Sequence, residues 1–425
     1  RWIPEPDPQP GQAVPYRILP FAEMPQTINP KSGVIVNANN DQTGNSLDND
    51  SLNDFRPDGG LYYLSWGGRY FSIRSGRINQ LLEAELEDHG RLKEADMSRI
   101  QADVVMLDAQ VFAPAIQLAF DRATADGAYP ALAALAADPR VAEAVKRIAD
   151  WDFSTPTGIP EGYDAHPGVR KDKGGRGNSK KHKRPSTISN SVAATIYSVW
   201  RHEIVASTVD ATLAGVGLPP LVNVREERVT ALRHLLDNFD SNQGIGASGL
   251  DFFPGPADAD AATRRDIHIL QSLASALDRL ASGDFEAAFN NSAEQDDYRW
   301  GKLHRIVFEH PLGSIAEDFN VPPAFGLFPA PLDGLAGIPV DGGFETVDVG
   351  SPVTNIVTPG TDAFMFSAGA TARFVSQLKR HKVKAKSSLP GGESALPGSP
   401  LYLNLLEPWL LNSTYRLLVS PEDVQ

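Results

Sequence analysis

Residues 29–43, NPKSGVIVNANNDQT, set three asparagines at the end of a short apolar run. Val34, Ile35 and Val36 read as a buried strand, bounded by Asn-Pro before it and Asn-Asp-Gln after it. Asparagine is depleted inside strands, so Asn37, Asn39 and Asn40 mark a strand end rather than its continuation. Neutral amides fixed there can donate hydrogen bonds to a developing oxyanion without competing for a nucleophile's proton. The same residues also read as an Asx-rich turn closing a core strand.

Working outward, the chain falls into three stretches. Residues 1–72 are rich in Pro, Gly and Asn with short strand-like runs such as Gly60–Leu64, and they carry the amide motif. Residues 73–292 are mainly helical: Ile188, Val192, Ile196 and Val199 form one apolar stripe, and further helical runs fall at Lys93–Phe120, Val141–Trp151, Glu226–Asp237 and Ala261–Leu280. Residues 293–425 return to strands, at Leu303–Phe308, Phe344–Val349, Ala363–Phe366 and Thr371–Leu378. A strand-rich start and end around a helical middle predict an α+β fold, one antiparallel sheet system interrupted by a long helical insertion.

Composition narrows the function classes. The 425 residues contain 41% hydrophobic side chains, enough for a sizeable core. A net charge of −14 argues against nucleic acid or an anionic membrane as a general partner. No apolar run approaches the roughly 20 residues of a membrane span. With no cysteine, disulfides and thiolate metal sites are excluded. The nine histidines show neither HxxxH nor HExxH spacing, which removes the usual zinc-hydrolase signature. The basic run at 170–184, RKDKGGRGNSKKHKR, is Gly-rich and lacks interleaved aromatics, so it reads as a surface insertion rather than a nucleic-acid patch. Ser186 after it reads as a helix cap.

Three segments, in order, resemble the penicillin acylase family of N-terminal nucleophile hydrolases. Leu19–Asn40, LPFAEMPQTINPKSGVIVNANN, is similar to a stretch midway along that family's β-chain. Tyr298–Leu312, YRWGKLHRIVFEHPL, and Ser388–Leu417, SLPGGESALPGSPLYLNLLEPWLLNSTYRL, resemble its later motifs. The resemblance implies an αββα fold, two stacked antiparallel sheets flanked by helical layers, of which this chain is the C-terminal part of the β-chain. It implies a periplasmic or secreted amidohydrolase that cleaves an N-acylated small molecule: a β-lactam, an N-acyl homoserine lactone or a lipopeptide. The family's nucleophile is the first β-chain residue, whose α-amine is the general base. Arg1 offers neither a nucleophilic oxygen nor sulfur, so an N-terminal portion with the nucleophile is expected as a partner. The competing class is a non-catalytic binding module that keeps the fold.

The resemblance also assigns roles. Asn39 aligns with the oxyanion-hole asparagine, with Asn37 and Asn40 as alternatives. Arg74, opening the helical stretch IRSGRINQLLE, matches an arginine beside the nucleophile, and Arg77 competes for that place. Glu345, in VDGGFETVDVGS at 340–351, resembles the late-strand Glu that orients a histidine in cephalosporin-type acylases; it also reads as an exposed strand Glu or a partner of Arg373. Tyr62, Trp66 and Phe71, with Phe21, Tyr63 and Tyr70, are candidate substrate-lining aromatics. No cofactor is expected beyond a structural calcium, for which Asp58 or Asp54 stands nearest the family's ligand, among Asp41, Asp48 and Asp50 in an acidic loop without EF-hand spacing. His304 and His310 read as structural.

Overall fold

The computed structural model describes residues 21–23, 26–39, 73–164, 185–218, 227–310, 312, 315, 319–322, 330–348, 350–351, 360–379 and 382–418. In chain order these form helices α1 (Ile73–His89), α2 (Glu94–Gln101), α3 (Leu107–Ala123), α4 (Pro130–Ala136), α5 (Pro139–Ala149), α6 (Pro185–Val205), α7 (Ala211–Gly215), α8 (Glu227–Asp237), α9 (Phe239–Asn242), α10 (Ala261–Leu280), α11 (Glu286–Phe289), α12 (Trp300–Leu303) and α13 (Leu406–Leu410). The strands are β1 (Arg305–Ile306), β2 (Ile338–Pro339), β3 (Gly350–Ser351), β4 (Ala368–Gly369), β5 (Arg373–Lys379), β6 (Lys382–Ser388) and β7 (Tyr415–Leu417). The fold is α+β, and the pairings between described strands are antiparallel: β1 with β2, β3 with β4, and β5-β6-β7 in one sheet. Among the described residues no helix is long and apolar enough to cross a membrane.

Helix α6 organises the core. Its segment Asn190–Arg201 is buried on every side, not only along the predicted stripe, because α5, α10 and α12 pack around it. Its polar residues are served internally: Ser191 Oγ donates to Thr157 O (2.9 Å) and accepts from Trp300 N (2.7 Å), and Thr195 Oγ1 donates to Ser191 O. Pro185 opens this helix, so Ser186 lies inside its first turn and is not the cap. Helix α10 starts where Asp260 caps it, its carboxylate accepting from Thr263 N at 2.7 Å. A second, smaller core gathers Ile306, Ile338, Val340, Leu406, Trp409 and Leu410 under the short strands.

Several sequence expectations are corrected. The run at Lys93–Phe120 is two helices, broken where Asp103 Oδ1 accepts from Val105 N (3.2 Å) and Val105 bridges to Ser154. Val34–Val36 forms no strand among the described residues, and Ile35 is 68% exposed rather than buried. Ala363–Phe366 is turn and bend that inserts Phe364 into the core, and Phe344–Asp348 is turn and bend around a buried Phe344, Val349 lying outside the described residues. In both, apolar residues that suggested strands are loop side chains plugging the helical core. The residues of the basic run and of Gly60–Leu64 lie outside the described set.

Candidate active site

Asn37, Asn39, Arg74 and Glu345, spread over three hundred residues of sequence, meet at the start of α1. The Asn37 side chain accepts from Asn39 N at 3.0 Å, an Asx turn that carries Asn39 into the left-handed region at φ 63°. Asparagine tolerates this conformation better than most residues. The two readings of the NANN segment are thus joined: one amide builds the turn that presents the other.

Arg74 is the hub. Its Nη2 donates to Ala38 O at 2.9 Å and to Asn39 Oδ1 at 3.0 Å, while Nε donates to Glu345 Oε2 at 3.0 Å. A guanidinium has only donors, so the Asn39 atom facing it must be the carbonyl oxygen, and the Nδ2 hydrogens point elsewhere. Nδ2 has no acceptor among the described residues in this exposed position, and it is a neutral donor with a fixed direction. Helix α1 has no acidic residue in its first turn, and Glu345 supplies the carboxylate for the Arg there.

Glu345 sits on a turn, not on a late strand, with φ 51° and only 4% exposure. Nor is it paired with Arg373, which instead donates to Asp348 Oδ1 at 2.6 Å, bonds Trp409 O and stacks over the Trp409 ring. The 341–348 loop around Glu345 is closed by its own groups: Gly343 N donates to Thr346 Oγ1 (3.1 Å), which donates to Asp348 O (2.7 Å). Trp300 Nε1 ties down Gly342 O at 2.7 Å, Asp348 N donates to Asp103 O at 2.9 Å, and Asn412 bonds the Asp348 carboxylate.

Arg77, the competitor for Arg74's place, is occupied elsewhere. It forms a two-point pair with Asp103, with both bonds at 2.8 Å, and so braces the same loop from behind. His304 is structural in geometry: it is fully buried, stacks on Trp300 at 5.2 Å and pairs Nδ1 with Phe364 O at 2.9 Å. His310 accepts from Leu312 N through Nδ1. Phe21 is exposed on a 3-10 turn. Asn40, Asp41, Asp48, Asp50, Asp54, Asp58, Tyr62, Tyr63, Trp66, Tyr70 and Phe71 lie outside the described residues. Among the described residues, no group of three or more His, Asp or Glu is placed to hold a metal ion.

An α+β chain thus fixes an asparagine amide between an Asx turn and an arginine–glutamate pair, which leaves a neutral donor backed by a paired cation. The chain belongs to the penicillin amidase family, whose sequence profile matches residues 3–425. Among solved structures it is similar to a thermostable penicillin G acylase from Alcaligenes faecalis, at 13% identity and a TM-score of 0.48, over 95% of this chain and 57% of that one. The chain thus spans less than two thirds of that protein's length. No curated protein sequence matches it.

Proposed function

We propose that this chain supplies the supporting half of an amide-cleaving site in a complete acylase, and that the nucleophile and its general base come from a segment outside these 425 residues. The observation that carries this reading is the Arg74 Nη2–Asn39 Oδ1 bond at 3.0 Å, which turns a surface amide into an aimed donor. As the nucleophile attacks the amide carbonyl of an N-acylated substrate, the carbonyl oxygen gains charge and accepts from Asn39 Nδ2. Collapse of the tetrahedral intermediate breaks the C–N bond and releases the amine, leaving an acyl-enzyme that water hydrolyses. Arg74 holds the donor and, as a fixed cation, favours the neutral form of an adjacent amine base. Glu345 accepts from Arg74 Nε and holds the guanidinium fork in plane. The orientation of a histidine, which the resemblance implies for Glu345, would be a further role of the same carboxylate toward the segment outside this chain. Substrates in this reading are N-acylated small molecules of β-lactam, homoserine-lactone or lipopeptide type.

The test is an assay of the complete protein, with its native upstream segment, against N-acyl amides of graded chain length, alongside Asn39→Gly. Turnover that depends on Asn39 supports the reading. Saturable binding of these amides by calorimetry with no released amine would instead mark a binding module.

A further inference from the structure

Behind Glu345 lies a buried ion pair that the chemistry above does not use. Asp108 on α3 and Arg201 on α6 pair at 2.8 Å, with side chains 1% and 6% exposed, and Tyr197 OH donates to the same Asp108 oxygen at 3.1 Å. Asp108 Oδ1 is buried with no hydrogen-bond partner among the described residues. Such an arrangement is a poor stabiliser, because desolvating both charges offsets their attraction, and apolar replacements of similar volume are often neutral or stabilising. What the pair does hold is the guanidinium plane: Arg201 lies over the Phe344 ring at 4.1 Å from its centroid. Phe344 is the residue immediately before Glu345, whose left-handed backbone persists only where its surroundings over-determine it. The other loop contacts clamp Gly342, Thr346 and Asp348, and Arg201 reaches the apex between them.

We propose that Arg201, oriented by Asp108 and Tyr197, is a positioning residue that fixes Glu345 against Arg74 by holding the Phe344 ring. This rests on the reading of Asn39, Arg74 and Glu345 as the acylase site. A planar cation is needed, since an ammonium offers no flat face to the ring.

The experiment compares Arg201→Met, Phe344→Leu and Phe344→Tyr in the complete protein, by crystal structure and by steady-state hydrolysis of a chromogenic phenylacetyl anilide. Arg201→Met, which leaves the Asp108 carboxylate buried without its cation, is expected to lower the thermal midpoint, to separate Glu345 from Arg74 Nε, and to lower kcat per folded molecule by about 10²-fold with KM little changed. Phe344→Leu, which leaves the ion pair intact, is expected to show the same separation and decides the matter if Arg201→Met does not fold. Phe344→Tyr keeps the ring and is expected to retain the contact and the rate. An intact Glu345–Arg74 contact in both Arg201→Met and Phe344→Leu overturns the proposal, whatever the rate. A lost contact with unchanged turnover upholds the positioning role and sinks the catalytic reading of Glu345 instead.

Discussion

Asn39 combines a strained backbone with a side chain that stabilises little else, and this separates its functional role from its structural one. Glycine adopts φ near 63° without cost, so Asn39→Gly removes the amide and leaves the turn intact, whereas Asn39→Ala adds backbone strain. In the complete enzyme, Asn39→Gly is expected to cut kcat by roughly 10² to 10³ and leave the thermal midpoint unchanged. Full turnover in that variant would place the oxyanion donor elsewhere. Arg74→Lys tests the hub: an ammonium keeps the charge but lacks the planar fork that spans Ala38 O, Asn39 Oδ1 and Glu345 Oε2. It is expected to lower kcat more than about tenfold with a smaller effect on KM, since the loss falls on an interaction strengthened in the transition state. The asparagine cluster stood out beside Val-Ile-Val, but only the family resemblance singled out Asn39 from Asn37 and Asn40. Arg74 and Arg77 were not separable, because they are three residues apart in the opening turns of one helix. What distinguishes them is Asp103, which reaches Arg77 from the break between α2 and α3.

The 341–348 loop is the element on which the three family-like segments converge. Leu19–Asn40 supplies the amide that meets Glu345 through Arg74, Tyr298–Leu312 supplies Trp300 on Gly342, and Ser388–Leu417 supplies Asn412 on Asp348 and Trp409 on Arg373. Gly342 carries φ 88°, and a Cβ there would stand 2.7 Å from Asp348 O, a backbone atom held by Thr346 and unable to retreat. Gly342→Ala is therefore expected to lose about 1–3 kcal/mol in urea unfolding and to lower turnover per folded molecule, because the loop end that presents Glu345 must shift. Unchanged activity of the folded fraction would show that the loop does not control the site. Alternation of apolar and polar side chains in FETVDV made this loop read as a strand, but Phe344, Glu345 and Thr346 are all buried, as no half-exposed strand would have them; the preceding Gly-Gly was the contrary signal. The long helices were more legible: Ala261–Leu280 has an aspartate cap and an apolar period sustained over its whole length, which no short loop can imitate. Nothing local announces that Asp108 and Arg201 pair, because each reads alone as an ordinary helix-surface charge.

At the scale of the whole molecule, one fully buried and one half-buried histidine make acid stability a readout of how the cores are joined. His304 bridges them, stacked on Trp300 of the helical core and lying 5.9 Å from the ring of Phe366 in the smaller one. Burial lowers its pKa to about 4, with the Phe364 carbonyl partly opposing and Arg305 adding to the effect. His202 on α6 falls to about 3, through burial first and then the nearby Arg228, Arg279 and Arg201. Both folded values lie below the unfolded value of 6.5, so between pH 6.5 and about 4 the unfolded chain binds protons that the folded chain refuses. Stability is then fully present above pH 6.5 and falls as pH drops through that window, by roughly 3 kcal/mol for His304 alone at 1.36 kcal/mol per decade. Asp210, whose carboxyl is raised by burial against the pull of Arg228, works in the opposite sense from pH 3.8 upward and blunts the loss in the lower part of the window. The carboxylates of Asp96, Asp138 and Asp260 are lowered and lose their contribution only below 3.8. Urea midpoints taken between pH 7 and 4.5 are therefore expected to fall steadily, and His304→Gln, which keeps a donor for Phe364 O, is expected to start less stable at pH 7 yet show a shallower slope. A slope identical to wild type would mean that His304 does not stay neutral at the seam, and that the two cores are joined by contacts indifferent to its charge.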